Sequence, residues 1–142
     1  MSAYADTSFL VSLYTPDSNS AAAAAQMKRA PLPVLLTSFG ELEWTNALEL
    51  RVFRKGLTAA EVRTARGAFR QDIQSGVFAV KPLPTLALER ATQIAGKQTR
   101  RLGTRTLDVL HVASALVLAA DTLYTFDHRQ QKLAHSAGLK VL

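Results

Sequence analysis

Residues 103–130 read GTRTLDVLHVASALVLAADTLYTFDHRQ, and this stretch decides the fold. A loop leads into a helix, Leu107 to Leu118, that is apolar nearly all round. Such a helix has to be buried. A short turn through Ala120 and Asp121 then enters the run Leu123-Tyr124-Thr125-Phe126, which suits a buried parallel strand. Two carboxylates sit at the joints: Asp108 in the first helical turn and Asp127 directly after the strand. Chemistry in open α/β sheets collects beyond the carboxyl ends of the strands, so Asp127 stands where a site is expected.

Working outward, the rest of the chain alternates the same two kinds of element. A first strand over 2–5 meets Asp6-Thr7-Ser8, good helix-start residues, and a helix follows as far as Pro16. Asp17-Ser18 opens a second helix through the alanines at 21–25 to Lys28-Arg29. Val34 to Thr37 is the second strand. Ser38-Phe39-Gly40-Glu41 has the form of a capping box and predicts a helix to about Arg54, ended by Gly56. Thr58 to Glu61 is a second capping box, with its helix running to about Ser75. Val77 to Val80 is a third strand, Leu86 to Arg101 a helix, His128 to Ala137 a last helix capped by Gly138, and Leu139 to Leu142 a final edge strand. This alternation predicts an α/β fold, a parallel sheet with helices on both faces, in one domain spanning 1–142.

Composition narrows the function classes. With 142 residues, 48% of them hydrophobic, the chain can bury a real core and is no disordered tail. Its longest apolar run is too short to span a bilayer, and Asp6 interrupts the N-terminus before any secretion signal could form. The absence of cysteine excludes disulfides and thiolate metal sites, and fits a cytoplasmic protein with no membrane partner. A net charge of +6 favours polyanionic partners such as RNA or DNA.

Against that basic background four acids recur in one setting. Asp6 follows the first strand, Glu43 lies early in the helix after the second, Asp108 opens the buried helix, and Asp127 follows the fourth strand. Each alone has a structural explanation as a cap or a complement to the helix dipole. Together they converge at one sheet edge, where carboxylates repel unless a cation or protons intervene. An all-oxygen ligand set selects Mg²⁺ or Mn²⁺ over zinc. Such ions activate water and neutralise charge on a phosphate under attack. Glu41 competes with Glu43 for the second place; its capping-box role accounts for it, so Glu43 is preferred.

The runs Asp6-Thr7-Ser8, Glu43-x-x-Asn46-Ala47-Leu48, Thr104 to Ala113 and Thr125-Phe126-Asp127-x-Arg129-Gln130 resemble the PIN domain. Within that family they look most like the toxins of bacterial VapBC toxin–antitoxin pairs. The resemblance covers nearly the whole chain. It implies a PIN-like three-layer α/β/α fold with about five parallel strands, and Mg²⁺- or Mn²⁺-dependent endoribonuclease activity. It also implies a homodimer inhibited by a small cognate antitoxin, through which alone the complex would touch DNA. Carried over, Asp6, Glu43, Asp108 and Asp127 form the catalytic and metal-binding quartet, with Asp6 and Asp108 as direct ligands.

Other residues carry weaker expectations. Thr7, Ser8 and Thr125 could position water or phosphate, or serve as caps and strand residues. Arg105 and Arg129 fall beside Asp108 and Asp127, where a guanidinium is either an ion-pair partner or a grip on the scissile phosphate. Arg63, Arg66 and Arg70 form a basic stripe, read first as a solvated face and second as an RNA or antitoxin contact. His111 reads as a hydrogen-bonded core residue rather than a ligand or general base. Trp44 and Phe53 read as core or dimer contacts. A non-catalytic RNA- or protein-binding module on the same fold is the alternative. A haloacid-dehalogenase-type phosphatase would need D-x-D after the first strand, and a receiver domain paired acids there; only Asp6 is present.

Overall fold

The three apolar residues of β1 (Ala3–Ala5) end abruptly at Asp6, whose carboxylate caps α1 (Thr7–Tyr14) by accepting from the Phe9 amide. This strand–cap–helix step is the pattern of the whole molecule. The computed structural model describes residues 1–142. After α1 come α2 (Ser20–Met27), β2 (Val34–Thr37), α3 (Ser38–Phe53), α4 (Ala59–Gln74), β3 (Phe78–Lys81), α5 (Thr85–Leu102), α6 (Thr106–Val117), β4 (Thr122–Tyr124), α7 (His128–Ser136) and β5 (Lys140–Val141). The five strands form one sheet in the order β3-β2-β1-β4-β5, parallel throughout.

Side-chain alternation along the strands divides the core into two layers. Ala3, Ala5, Val34, Leu36 and Phe78 pack with Phe9, Leu10, Trp44 and Phe69 from the helices α1 to α4. Tyr4, Leu35 and Leu123 face the other way, onto Ile94, Val112, Ala113 and Leu133 from α5 to α7. The helix expected to be apolar on all sides is α6, and its residues Val109 to Ala115 are all buried. Trp44 belongs to the core, whereas Phe53 is 82% exposed.

Several boundaries differ from the sequence expectation, each for a local reason. The helix after β2 is capped by Thr37, which accepts from Gly40 N, so Ser38 is already helical and the Ser38–Glu41 capping box does not form. The last strand residue doubles as the cap, which shortens the connection to nothing. At the other end of α3 the left-handed residue is Lys55 (φ 63°), one position before the expected Gly56. The fourth strand ends at Tyr124, because Thr125 and Phe126 turn out of the ladder before Asp127 caps α7. The capping box at Thr58 and Glu61 forms as expected.

Strand order reverses between β1 and β4, both central. Helices leave from that point to opposite faces, and the crevice beyond the carboxyl ends of these two strands is where ligands bind in open α/β sheets. Asp6 lies beyond β1, and Asp127 caps the helix after β4.

Candidate active site

Asp6 is 3% exposed. Its Oδ1 accepts from Phe9 N (3.0 Å) and from Ser8 Oγ (2.7 Å). Ser8 Oγ also lies 3.2 Å from Thr125 Oγ1 and accepts from Phe126 N, which ties the ends of β1 and β4 together. Burial pushes the Asp6 carboxyl above its ordinary pKa, and the nearby His111 ring with the hydrogen bonds from Thr125, Ser8 and Phe9 offsets only part of that. No Lys, Arg or His nitrogen comes within ion-pair distance of it.

Glu43 sits in the second turn of α3, half-buried. Its Oε1 accepts from the Thr7 hydroxyl and from His111 Nε2, the latter at 2.7 Å. Burial raises its pKa, but the hydrogen bonds from His111 and Thr7, with the nearby Arg105 charge, outweigh it, so Glu43 lies below the ordinary glutamate value. Glu41 is exposed and lines a groove with Trp44, Arg66 and Arg70. The choice between the two glutamates therefore rests on Glu43 facing Thr7 and His111, not on a capping role for Glu41.

Asp108 and Asp127 meet across one guanidinium. Arg105 Nε lies 3.3 Å from Asp108 Oδ2, and its NH2 group 3.7 Å from Asp127 Oδ2. Asp108 Oδ2 accepts from Arg105 N, and Asp127 Oδ1 from Arg129 N and Gln130 N. Three of the four acids thus serve as helix-start acceptors, and a capping bond holds each carboxylate in place without occupying both its oxygens. The Arg129 guanidinium turns away to the Gly103 carbonyl, at 3.4 Å. Arg63, Arg66 and Arg70 are all exposed on α4.

The structure therefore links Glu43 to Thr7, the chain neighbour of Asp6, Asp6 to the β4 end through Ser8 and Thr125, and Asp108 to Asp127 through Arg105. The donor set suits a hard divalent cation: carboxylates and hydroxyls, no sulfur, and one buried carboxylate with no cationic side chain within ion-pair distance. In the side-chain rotamers present, no three His, Asp or Glu side chains close on a single point.

The family profile of the PIN domain matches residues 3–136. The chain belongs to the PIN domain family. Its fold is similar to that of VapC20 from Mycobacterium tuberculosis, described as a sarcin–ricin loop cleaving toxin. That pair shares 19% identity over 99% of this chain and 98% of the other, with a TM-score of 0.73. FitAcB from Neisseria gonorrhoeae is similar at 17% identity over 99% and 96%, TM-score 0.63. PAE2754 from Pyrobaculum aerophilum is similar at 19% identity over 99% and 83%, TM-score 0.62. At these identities the likeness is one of fold. No curated protein matches the chain.

In this PIN domain two further residues stand at the site: Tyr4, which the sequence did not bring forward, and His111, which it read as a core residue. Tyr4 sends its hydroxyl to 3.1 Å from His111 Nδ1 and 3.3 Å from Thr37 Oγ1. His111 is buried and hydrogen-bonded as expected of a core residue, but one of its partners is Glu43 itself. The available signal was Tyr4, a phenol between two alanines in a strand, whose polar tip needs a partner once buried.

Proposed function

We propose that this PIN domain is a metal-dependent endoribonuclease, the toxin of a type II toxin–antitoxin pair. What supports it is the position of Asp6 and Asp127 beyond the strand-order reversal, with Asp6 buried and no cationic side chain within ion-pair distance, Glu43 held by Thr7 and His111, and Asp108 sharing Arg105 with Asp127. Membership of the PIN family and the fold's likeness to a described sarcin–ricin loop cleaving toxin support the same assignment. Asp6 and Asp108 would hold Mg²⁺ or Mn²⁺ directly, with Glu43 and Asp127 in support. A divalent ion in such a site lowers the pKa of water and neutralises charge on the phosphate.

The chain's own groups do the rest. Ser8 and the Phe9 amide keep the Asp6 carboxylate in one orientation. Thr7 and His111 do the same for Glu43. Arg105, 68% exposed and beside both Asp108 and Asp127, is placed to take a backbone phosphate when RNA enters. No side chain need act as nucleophile: water attack at phosphorus with breakage of the P–O3′ bond leaves a 5′-phosphate and a 3′-hydroxyl. The cytoplasm, a homodimer and a small cognate antitoxin complete the proposal.

The test is cleavage of RNA by the purified protein with Mg²⁺ or Mn²⁺. Asp6→Asn and Asp108→Asn should each abolish turnover with the circular dichroism spectrum unchanged. Wild-type cleavage persisting in excess chelator would refute the mechanism. Salt-dependent RNA binding without turnover would favour the binding-module alternative.

A further inference from the structure

A line of hydrogen bonds runs from the α3 N-terminus through the core to the acid cluster. Gly40 N–H donates to Thr37 Oγ1 at 3.4 Å, and Thr37 Oγ1 lies 3.3 Å from the Tyr4 hydroxyl. That hydroxyl lies 3.1 Å from His111 Nδ1, and His111 Nε2 lies 2.7 Å from Glu43 Oε1. Tyr4, Thr37 and His111 are all buried. The direction of the line follows from its end. A carboxylate oxygen only accepts, so Nε2 carries the proton. In the neutral ring Nδ1 is then an acceptor and the Tyr4 O–H must donate to it. The Tyr4 oxygen accepts from the Thr37 hydroxyl, whose own oxygen accepts from Gly40. Every link finds a donor facing an acceptor.

The imidazole is also wedged sterically. Phe39 lies against it with ring centroids 4.5 Å apart, and the Tyr4 ring meets it edge-on at 5.8 Å. Both hydrogen bonds that reach Glu43, from His111 and from Thr7, fall on Oε1. Oε2 is left without a protein partner.

We infer that His111 is a positioning residue for the active site, holding the Glu43 carboxylate by Oε1 in a fixed tautomer so that Oε2 is presented to a divalent ion. The inference rests on the nuclease assignment above. Its physical basis is that a glutamate rotamer settled by folding need not be ordered when the ion binds. Partners that orient a carboxylate from behind in this way matter about 10–100-fold in metal affinity.

The experiment measures Mn²⁺ affinity by calorimetry, melting temperature, and RNA cleavage for full-length variants. His111→Phe keeps a ring against Phe39 and loses both nitrogens. It should weaken Mn²⁺ binding about tenfold or more and lower kcat with little change in KM. His111→Gln, whose amide can replace the Nε2–H donor, should recover affinity to within about threefold of wild type. In a Glu43→Ala background, His111→Phe should cost no further affinity, because the two substitutions remove one interaction. Tyr4→Phe leaves the ring in place and should give a smaller loss, which keeps the test open if His111→Phe folds poorly. Imidazole ¹⁵N shifts should show the Nε2–H tautomer.

A His111→Phe variant with wild-type Mn²⁺ affinity would overturn this inference alone. So would a loss that persists without Glu43, or the opposite tautomer. A wild-type protein that binds no Mn²⁺ and cuts no RNA would overturn the nuclease assignment itself.

Discussion

Asp6 holds a carboxylate where water hardly reaches, and its pKa is raised because burial disfavours the charged form. An aspartate with a folded pKa above its unfolded value favours the fold at low pH. That contribution is lost as pH rises from the unfolded pKa through the folded one, and above this window the ionised group costs stability. Asn can keep the cap on α1 while removing the charge. Metal-free Asp6→Asn should therefore melt higher than wild type at neutral pH, each kcal/mol gained being worth about 3–5 °C. Added Mn²⁺ should raise the wild-type melting temperature more than that of the variant. Scanning calorimetry decides it; a lower-melting variant would mean that the hydrogen bonds to Asp6 outweigh the cost of its charge.

At this same scale the limits of sequence reading are visible. Asp6, Asp108 and Asp127 could be picked out because capping and ligation both select aspartates at helix starts. The imidazole–phenol line could not, because Tyr4 and His111 are 107 positions apart and each looks like ordinary core filling. In the sequence the preference for Glu43 over Glu41 rests on a capping box that Thr37 displaces; in the fold its ground is spatial, since Glu43 faces Thr7 and His111.

Elements were legible where composition and punctuation agreed. The buried α6, the Thr58 capping box and the five parallel strands all follow from apolar periodicity bounded by turn residues. Errors fell at ends, where a backbone amide chooses between two neighbouring oxygens, as at Thr37 and Ser38, or where a non-glycine residue takes the left-handed turn, as at Lys55. That last choice carries a cost, since side chains other than glycine resist φ near 63°. Lys55→Gly should stabilise the fold by about 0.5–1 kcal/mol, offset only in part by the freer unfolded chain. Denaturant titration with unchanged slope would register it as a higher midpoint.

For the molecule as a whole, a net charge of +6 coexists with an acidic crevice. The net charge therefore favours polyanions, whereas carboxylates in a crevice repel phosphate until a cation enters. RNA affinity, measured in chelator so that the strand stays intact, should fall linearly with the logarithm of salt. Arg105→Ala should reduce that slope by about 0.7, the share of one single-strand phosphate contact. A triple substitution of Arg63, Arg66 and Arg70 to Ala should leave it unchanged if α4 is a solvated face. An equal drop in both variants would instead make α4 part of the RNA track.

The acids are also distributed in a particular order along the chain: Asp6 and Glu43 precede β3, while Asp108 and Asp127 come after it. Neither half carries more than two of them, and the halves meet only when β4 docks beside β1. A polypeptide interrupted midway therefore lacks half of the proposed acid set. Under the proposed activity, the complete site would exist only once synthesis is nearly done.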